Sequence, residues 1–570
     1  MLSSLGRLVT ARAGDEVAAA QALLWAGDID GARAMLDVLV EASGDPTAHF
    51  LRGMASFADD RLDDARRDWE GAFQGFRQRG EYALAARAAM GLAELHVSSL
   101  GNDAAGQGWL GRARRLLDRV RPCVEEGWFE VALMACTRPD VDDLLASADR
   151  ALEIALEYGD PDLEVRALAD GGLALVSQGR LADGFARLDE ALAAITGGQL
   201  RDPSVAAVAF CSMLSSCDRS GDLHRAEEWT RLIERRIGER PRVLHTHCRV
   251  AYGSVLCSAG QWQEAERVML EALGPTASRA VGHRIDVTAR LAELRLDQGR
   301  IDEAAQLIGL HSGHVAVCSP AARIHLGRGE HDLAVAVANR GLRELVGDAA
   351  RRAPLLATSV QAEIGRGDLE AADRATGELT AMAAGKDSPA LHGEAQLAAG
   401  RVALAKDDLA VAATCFGEAR RSFERAERPL LAAVSELELA RSLAAGGHRA
   451  EAILEARTAS GALTRLGANH LADQAAALLR ELGDATRVRS FDRVAAVGSL
   501  TGREAEVLAL IREGLTNPQI GERLYISAKT AEHHVGRVLV KLGVKTRAEA
   551  AAVATAAGAS GESTGIGGSS

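Results

Sequence analysis

A six-residue motif returns twelve times between Gly27 and Ala452, and this recurrence limits the fold more than any other feature of the 570-residue chain. Its form is a glycine or turn substitute, a polar residue, an apolar one, two mostly polar ones, then a small residue. Clear copies are Gly27-Asp-Ile-Asp-Gly-Ala32, Gly221-Asp-Leu-His-Arg-Ala226, Gly260-Gln-Trp-Gln-Glu-Ala265, Gly299-Arg-Ile-Asp-Glu-Ala304, Gly329-Glu-His-Asp-Leu-Ala334 and Gly367-Asp-Leu-Glu-Ala-Ala372. Fainter ones start at Asp60, Gly101, Pro139, Gly179, Asp407 and Gly447. The starts lie 30 to 42 residues apart, about 38 on average. A period in that range is the mark of a repeat architecture.

The motif has a simple physical reading. An apolar-periodic helix such as Val165–Val176 ends at a residue able to take the left-handed conformation that closes helices. A second helix begins almost at once, and its small residue five positions on lets the two backbones approach closely. One such hairpin cannot bury its own apolar face, so neighbours must stack into a solenoid. The Leu, Ala and Trp positions of the stripe are therefore core. Aromatics at 4% and only 12 prolines suit long, closely packed helices. Gly197–Pro203 and Gly347–Pro354 are predicted turns between hairpins. The sequence thus predicts an all-α chain: a helical solenoid of about twelve hairpins over 1–482, a linker at 483–498, a helical domain at 499–557 and a Gly/Ser-rich disordered tail at 558–570.

Composition narrows the function. Apolar residues at 47% and charged residues at 25% exclude a mainly disordered chain, and the net charge of −13 excludes a basic nucleic-acid coat. No apolar run approaches the ~20 residues that span a bilayer, and Met1 to Arg12 carry no cleavable-signal pattern. Eight cysteines from Cys123 to Cys415 include no C-x-x-C pair, so neither a disulfide framework nor a zinc knuckle is expected, and the compartment is read as the reducing cytoplasm. Two weak metal-like clusters, His245-Thr246-His247-Cys248 and His311/His314/Cys318, are read as packing residues. The second would share one face only if helical. No metal site and no cofactor are expected.

From Leu500 the character changes. A first helix is expected from Thr501, with Glu504 completing a capping box, Val507, Leu508, Leu510 and Ile511 inward, and Gly514 as its stop. A short second helix starts at Thr516, tolerates Pro518 in its first turn and buries Ile520 and Leu524. Ser527 caps a third helix running to about Leu542, and Thr546 with Glu549 opens an alanine-rich fourth. A tight turn between the second and third makes a helix-turn-helix. In the third helix Val535, Val538, Leu539 and Leu542 share one face. Lys529, Glu532, His533, Gly536, Arg537 and Val540 fall on the other. Between Arg523 and Arg547 six Lys/Arg face one Glu, a local +5 that leaves −18 for the remainder of the chain. A compact cationic helix on an acidic chain is an electrostatic footprint for phosphate.

Two families come into view. The repeats resemble tetratricopeptide repeats, in degenerate copies longer than the usual ones. The C-terminal region resembles the LuxR-type (NarL-type) DNA-binding domain through Leu500-Thr501-x-Arg503-Glu504-x-Glu506-Val507-Leu508 and Gly514-Leu515-Thr516-Asn517-x-x-Ile520. The match continues through Leu524-x-Ile526-Ser527-x-x-Thr530-x-x-x-His534 and Lys541-Leu542-Gly543-Val544-x-x-Arg547. The combination is similar to large MalT-like regulators without their ATPase module. The resemblance implies that the third helix enters the major groove of double-stranded DNA, with Lys529, Glu532, His533 and Gly536 at its reading positions. It gives phosphate contact to Asn517, Thr530, Arg537, Lys541 and Lys545. His534 is read as a packing or phosphate-side residue, and Arg503, Glu504 and Glu506 as capping and intradomain ion-pair residues. Many family members carry a cation where this chain has Glu532, and Gly536 replaces another. The resemblance further implies a homodimer on DNA through the fourth helix, about Arg547–Ala557, a protein or small-molecule effector in the solenoid, and RNA polymerase as a partner left open.

Enzyme activity is not expected. The one Gly-Lys pair, Gly385-Lys386, is followed by Asp387 and has Thr380 where a P-loop's first glycine belongs. The glycines at Gly106, Gly108 and Gly111 fall in a helical array with no preceding strand. Gly561-Glu-Ser563-Thr-Gly565 matches a nucleophile elbow in letters alone. Beside the regulator reading stand two others, a protein-interaction scaffold whose basic head is autoinhibited or vestigial, and an ATP-dependent switch whose nucleotide module lies on a separate chain or was lost.

Overall fold

The computed structural model describes residues 15–137, 140–237, 242–274, 280–311, 313–484, 500, 502–524, 526–542, 544 and 546–561. Helices, mostly α, are the only regular elements among them. The chain forms two compact units, 1–435 and 436–570, so the division falls ahead of the expected linker, most of which lies outside the described residues.

The hairpin chemistry is as the motif requires. Eleven of the twelve motif starts adopt positive φ, from +57° at Asp60 to +88° at Gly221, and the twelfth, Pro139, lies outside the described residues. At Asp60 and Asp407 an aspartate occupies the left-handed position, at +57° and +62°. The next amide donates to the carbonyl five residues back, as from Arg180 to Leu175 (3.0 Å), Asp222 to Cys217 (3.1 Å) and Arg300 to Arg295 (2.7 Å). This closes the first helix in a Schellman motif. The small residues five positions on, such as Ala32, Ala226, Ala304 and Ala452, are fully buried. At Gly184 a Cβ would stand 2.8 Å from the Gly172 carbonyl oxygen, so the helices there meet backbone to backbone.

Within residues 1–435 the solenoid also meets itself one superhelical turn later. Pro161–Ser177 packs against Ala349–Arg366, ten helices on. The Val141 amide donates to the Val346 carbonyl (3.3 Å). The Leu181 and Ala182 amides donate to the two carboxylate oxygens of Asp387 (2.6 and 2.8 Å), 206 residues away. The Arg428 guanidinium donates to Ser258 Oγ and to the Asp218 carbonyl. Five hairpins therefore complete a turn, and successive turns are stitched edge to edge.

Some expectations need correction. Gly347–Pro354 is not a turn throughout. Gly347 is left-handed at +76°, Asp348 caps the helix through the Arg351 amide, and Ala349–Arg366 carries Pro354 in its interior. His311, His314 and Cys318 do not share a helical face, because two short 3₁₀ segments, Gly309–His311 and Val315–Val317, intervene before Cys318–Gly327. The Gly106, Gly108 and Gly111 string lies inside helix Asp103–Leu117. The side chains of His245 and His247 lie outside the described residues.

In the second unit Arg449–Leu466 and Asn469–Glu481 form one hairpin. Beyond it come four helices, Gly502–Arg512, Asn517–Arg523, Ala528–Lys541 and Arg547–Gly561. The last runs past the expected boundary at 557, as its alanine run favours. Residues 562–570 of the expected tail lie outside the described residues.

Candidate nucleic-acid interface

The four short helices are built around one small core. Val507, Leu508 and Ile511 of the first helix, Ile520 of the second, Val535 and Val538 of the third with Leu542 just past its end, and Ala550 and Val553 of the fourth are all buried together. Gly514 ends the first helix at φ +84°. The second starts at a capping box that the sequence reading missed. Thr516 and Gln519 bond reciprocally, the Gln519 side-chain oxygen accepting from the Thr516 amide (2.8 Å). The signal was there in the Thr-x-x-Gln spacing. Thr501, of the expected first box, lies outside the described residues.

The turn into the third helix depends on Gly521. The Ile526 amide donates to the Gly521 carbonyl (2.8 Å), and a Cβ on Gly521 would lie 2.7 Å from the Ile526 carbonyl oxygen. Only a residue without a side chain leaves room for this approach. Ser527 then caps the third helix as expected, its Oγ accepting from the Thr530 amide (3.1 Å). Thr530 Oγ1 is tied to Ser527 Oγ (2.8 Å) at this exposed end.

On the third helix Lys529, Glu532, His533, Gly536 and Arg537 are all exposed, whereas Ala531, Val535 and Val538 are buried. His534 sits between the two faces, half-buried, with its Nδ1 enclosed and unbonded. Nothing lies within 4 Å of where a Gly536 Cβ would stand, so that face is open. The helix thus carries an apolar anchor on one side and a row of charged and small residues on the other.

The remaining sites divide. Lys541 Nζ donates to Glu504 Oε2 (2.7 Å), and Glu504 is almost completely buried. The lysine therefore neutralises an internal carboxylate and ties the third helix to the first. Asn517 Oδ1 accepts from Arg547 (2.8 Å), whose guanidinium also donates to the Leu515 carbonyl. Burial holds the Arg547 guanidinium below its ordinary value. Arg503 spans from Glu506 (2.7 Å) to the Leu524 carbonyl (2.8 Å), the intradomain role expected of it. Lys545 and the Val540 side chain lie outside the described residues. Of the cations counted in the sequence, Arg523, Lys529 and Arg537 stand exposed, as does Lys541, whose ammonium is held by Glu504.

Residues 498–554 match the family described as bacterial regulatory proteins, luxR family. The same region is 52% identical over 56 residues to the transcriptional regulatory protein LiaR of Bacillus subtilis, covering 10% of this chain and 26% of that protein. It is 44% identical over 59 residues to the DNA-binding transcriptional activator DevR/DosR of Mycobacterium tuberculosis, covering 10% and 27%. The chain is also 45% identical over 85 residues to the C4-dicarboxylate transport regulator DctR of Rhodobacter capsulatus, covering 15% and 43%. It therefore spans about a quarter of the first two relatives and less than half of the third. The solved structure of the APC/C hetero-tetramer Cut9–Hcn1 aligns with a TM-score of 0.46 and 13% identity, over 82% of this chain and 98% of that one. The C-terminal helices thus match the luxR-family domain, and the described residues ahead of them form an array of helical hairpins.

Proposed function

We propose that this protein is a transcriptional regulator that reads an operator with its third C-terminal helix in the major groove, under the control of a ligand or protein bound by the solenoid. The observation that carries this reading is the exposed row Lys529, Glu532, His533, Gly536 and Arg537 on a helix anchored by Val535 and Val538. An α-helix fits the major groove, and such a row places hydrogen-bonding groups against base edges. Thr530 at the helix N-terminus and Arg537 on its flank contact phosphate. Lys541 and Asn517 act first inside the domain and reach phosphate only through their remaining donors. Two copies bind together through Arg547–Gly561, with half-sites related by two-fold symmetry. The protein is non-enzymatic and works in the cytoplasm, with RNA polymerase as the next component on the DNA.

A mobility-shift titration of the full chain on the intergenic DNA beside its own gene tests the reading. Binding that weakens steeply with salt supports it. No shift, or binding indifferent to salt, overturns it.

A second reading, an interaction scaffold with a masked head, is favoured by the −18 carried outside the basic segment. Here residues 490–560 alone would bind DNA much more tightly than the full chain.

A further inference from the structure

Two of the eight cysteines form a pair that nothing in their spacing announces. Cys211 lies midway along Pro203–Ser220 and Cys248 lies in Arg242–Ser258, the first helices of neighbouring hairpins, which pack directly on each other. Their sulfurs are 3.0 Å apart, the one such pair among the described residues. That is closer than the ~3.5–4.0 Å of ordinary non-bonded heavy atoms. It is also closer than the ~3.8 Å expected of two thiolates sharing one tetrahedral zinc at ~2.3 Å each. Moving the sulfurs together by about 1 Å would reach the disulfide bond length of ~2.05 Å.

Burial is unequal. Cys211 is buried, whereas Cys248 is half-buried. The neighbouring sulfur and burial hold the Cys211 thiol well above its ordinary value, so it does not react first.

We propose that Cys211 and Cys248 form a reversible disulfide that staples neighbouring hairpins of the solenoid when the protein meets a hydroperoxide. The deprotonated Cys248 sulfur attacks the terminal peroxide oxygen, the O–O bond breaks, and the alkoxide or hydroxide leaving group takes a proton. Cys248 is then a sulfenic acid. The Cys211 sulfur attacks it, the S–O bond breaks, and the hydroxide leaves as water with the Cys211 proton. With hydrogen peroxide, two thiols and one peroxide give one disulfide and two waters. Two electrons pass from sulfur to oxygen, and a cellular thiol reverses the bond by exchange. The bond encloses Leu223–Ile237, the second helix of the same hairpin, in a covalent loop. In a reducing compartment such a bond is transient, as a sensor requires.

The full chain is treated with hydrogen peroxide or with a thiol reductant, unfolded, and its free thiols alkylated and mapped by mass spectrometry. Alkylatable cysteines should fall from eight to six. The peptides bearing Cys211 and Cys248 should appear joined, about 2 Da lighter than their sum, until reduced. Cys248→Ser should leave Cys211 fully alkylatable after peroxide, and Cys211→Ser should leave Cys248 as a sulfenic acid trapped by a 1,3-diketone. Full alkylation of both cysteines after peroxide would overturn the proposal. So would linkage of either to a third cysteine, or protection that only a zinc chelator removes. Circular dichroism of both variants separates loss of folding from loss of the pair, and the wild-type mapping stands without them.

Discussion

The carboxylate of Asp387 caps a helix that begins 206 residues earlier in the chain, one oxygen taking the Leu181 amide and the other the Ala182 amide. The helix Leu181–Thr196 has Arg180 at its own cap position and no side-chain cap of its own. Free amides at a helix start need an acceptor, and the loop after Leu369–Ala383 supplies it across the superhelical seam.

That relationship gives a local test of the seam. Asp387→Ala removes one exposed cap, worth about 1 kcal/mol. Amide hydrogen exchange at Leu181 and Ala182 should quicken about five-fold, with the interior of Pro161–Ser177 unchanged. Unaltered protection at these two amides would mean that the turns are not stitched there.

The same pair explains what the sequence could and could not disclose. The hairpins were legible because their chemistry is local. A left-handed residue and a small residue five positions later recur on one period, even where Asp60 and Asp407 replace glycine. The seam leaves no such trace, since Asp387 looks like any loop aspartate until the superhelical pitch brings it to Leu181. The reading face of the third helix was legible for the reason the hairpins were, through the 3.6 period of Val535, Val538 and Leu542. Lys541 was the limit of that method. Its helical position assigns it to the surface, while the carboxylate that captures it lies on a different helix, 37 residues away.

Lys541 therefore separates folding from binding. Removing it strands the buried carboxylate of Glu504, and Lys541→Ala should cost the domain about 2 kcal/mol, below the usual penalty for breaking a buried pair because the lysine is partly exposed. Lys541→Met with Glu504→Gln should recover most of that stability. If the double variant also recovers DNA affinity, Lys541 is an internal strut. If stability returns and affinity does not, the lysine reaches phosphate as well. Thermal melting and a binding isotherm on each variant decide between the two.

Gly521 carries the turn between the second and third helices. Gly521→Ala places a methyl 2.7 Å from the Ile526 carbonyl oxygen, and backbone cannot retreat as a side chain can. The expected loss is about 1–3 kcal/mol, as for overpacking elsewhere. It should appear in melting of the C-terminal domain, with the solenoid's helical signal intact. A variant as stable as the parent would contradict the turn geometry.

In the solenoid, Asp68 ties the two helices of one hairpin, Pro46–Ala58 and Leu62–Gln78, together with a pH signature. Burial would raise its carboxyl, but His49 and Arg52 donate to it, the latter at 2.6 Å, and the balance lies below the usual carboxylate range. A group depressed on folding contributes stability above its unfolded value of ~3.9 and loses it as pH falls through the folded one. Asp68→Asn should thus cost about 2–3 kcal/mol at neutral pH. The gap between variant and parent should hold down to about pH 4 and close below it. A gap that persisted in stronger acid would show that the asparagine fails through packing and not through lost charge.

The reading helix makes the sharpest distinction, because its exposed residues differ in what they offer to DNA. Arg537 and Lys529 are cations that attract any duplex. Arg537→Ala should weaken binding to operator and unrelated DNA alike, and flatten the plot of log affinity against log salt by about 0.9 if one phosphate contact is lost. Glu532 is an anion among phosphates, tolerable only if it accepts from a base, and a cytosine amino group is the matching donor. Glu532→Ala should therefore leave non-specific affinity equal or higher and the salt slope unchanged or steeper. It should erase about 1–3 kcal/mol of preference at one base pair. Selection from a randomised operator library, run on parent and variant at two salt concentrations, measures both quantities together. If Glu532→Ala selects the same sequences as the parent, the side chain does not face the bases. The helix would then have to lie in the groove rotated toward His533 and Arg537.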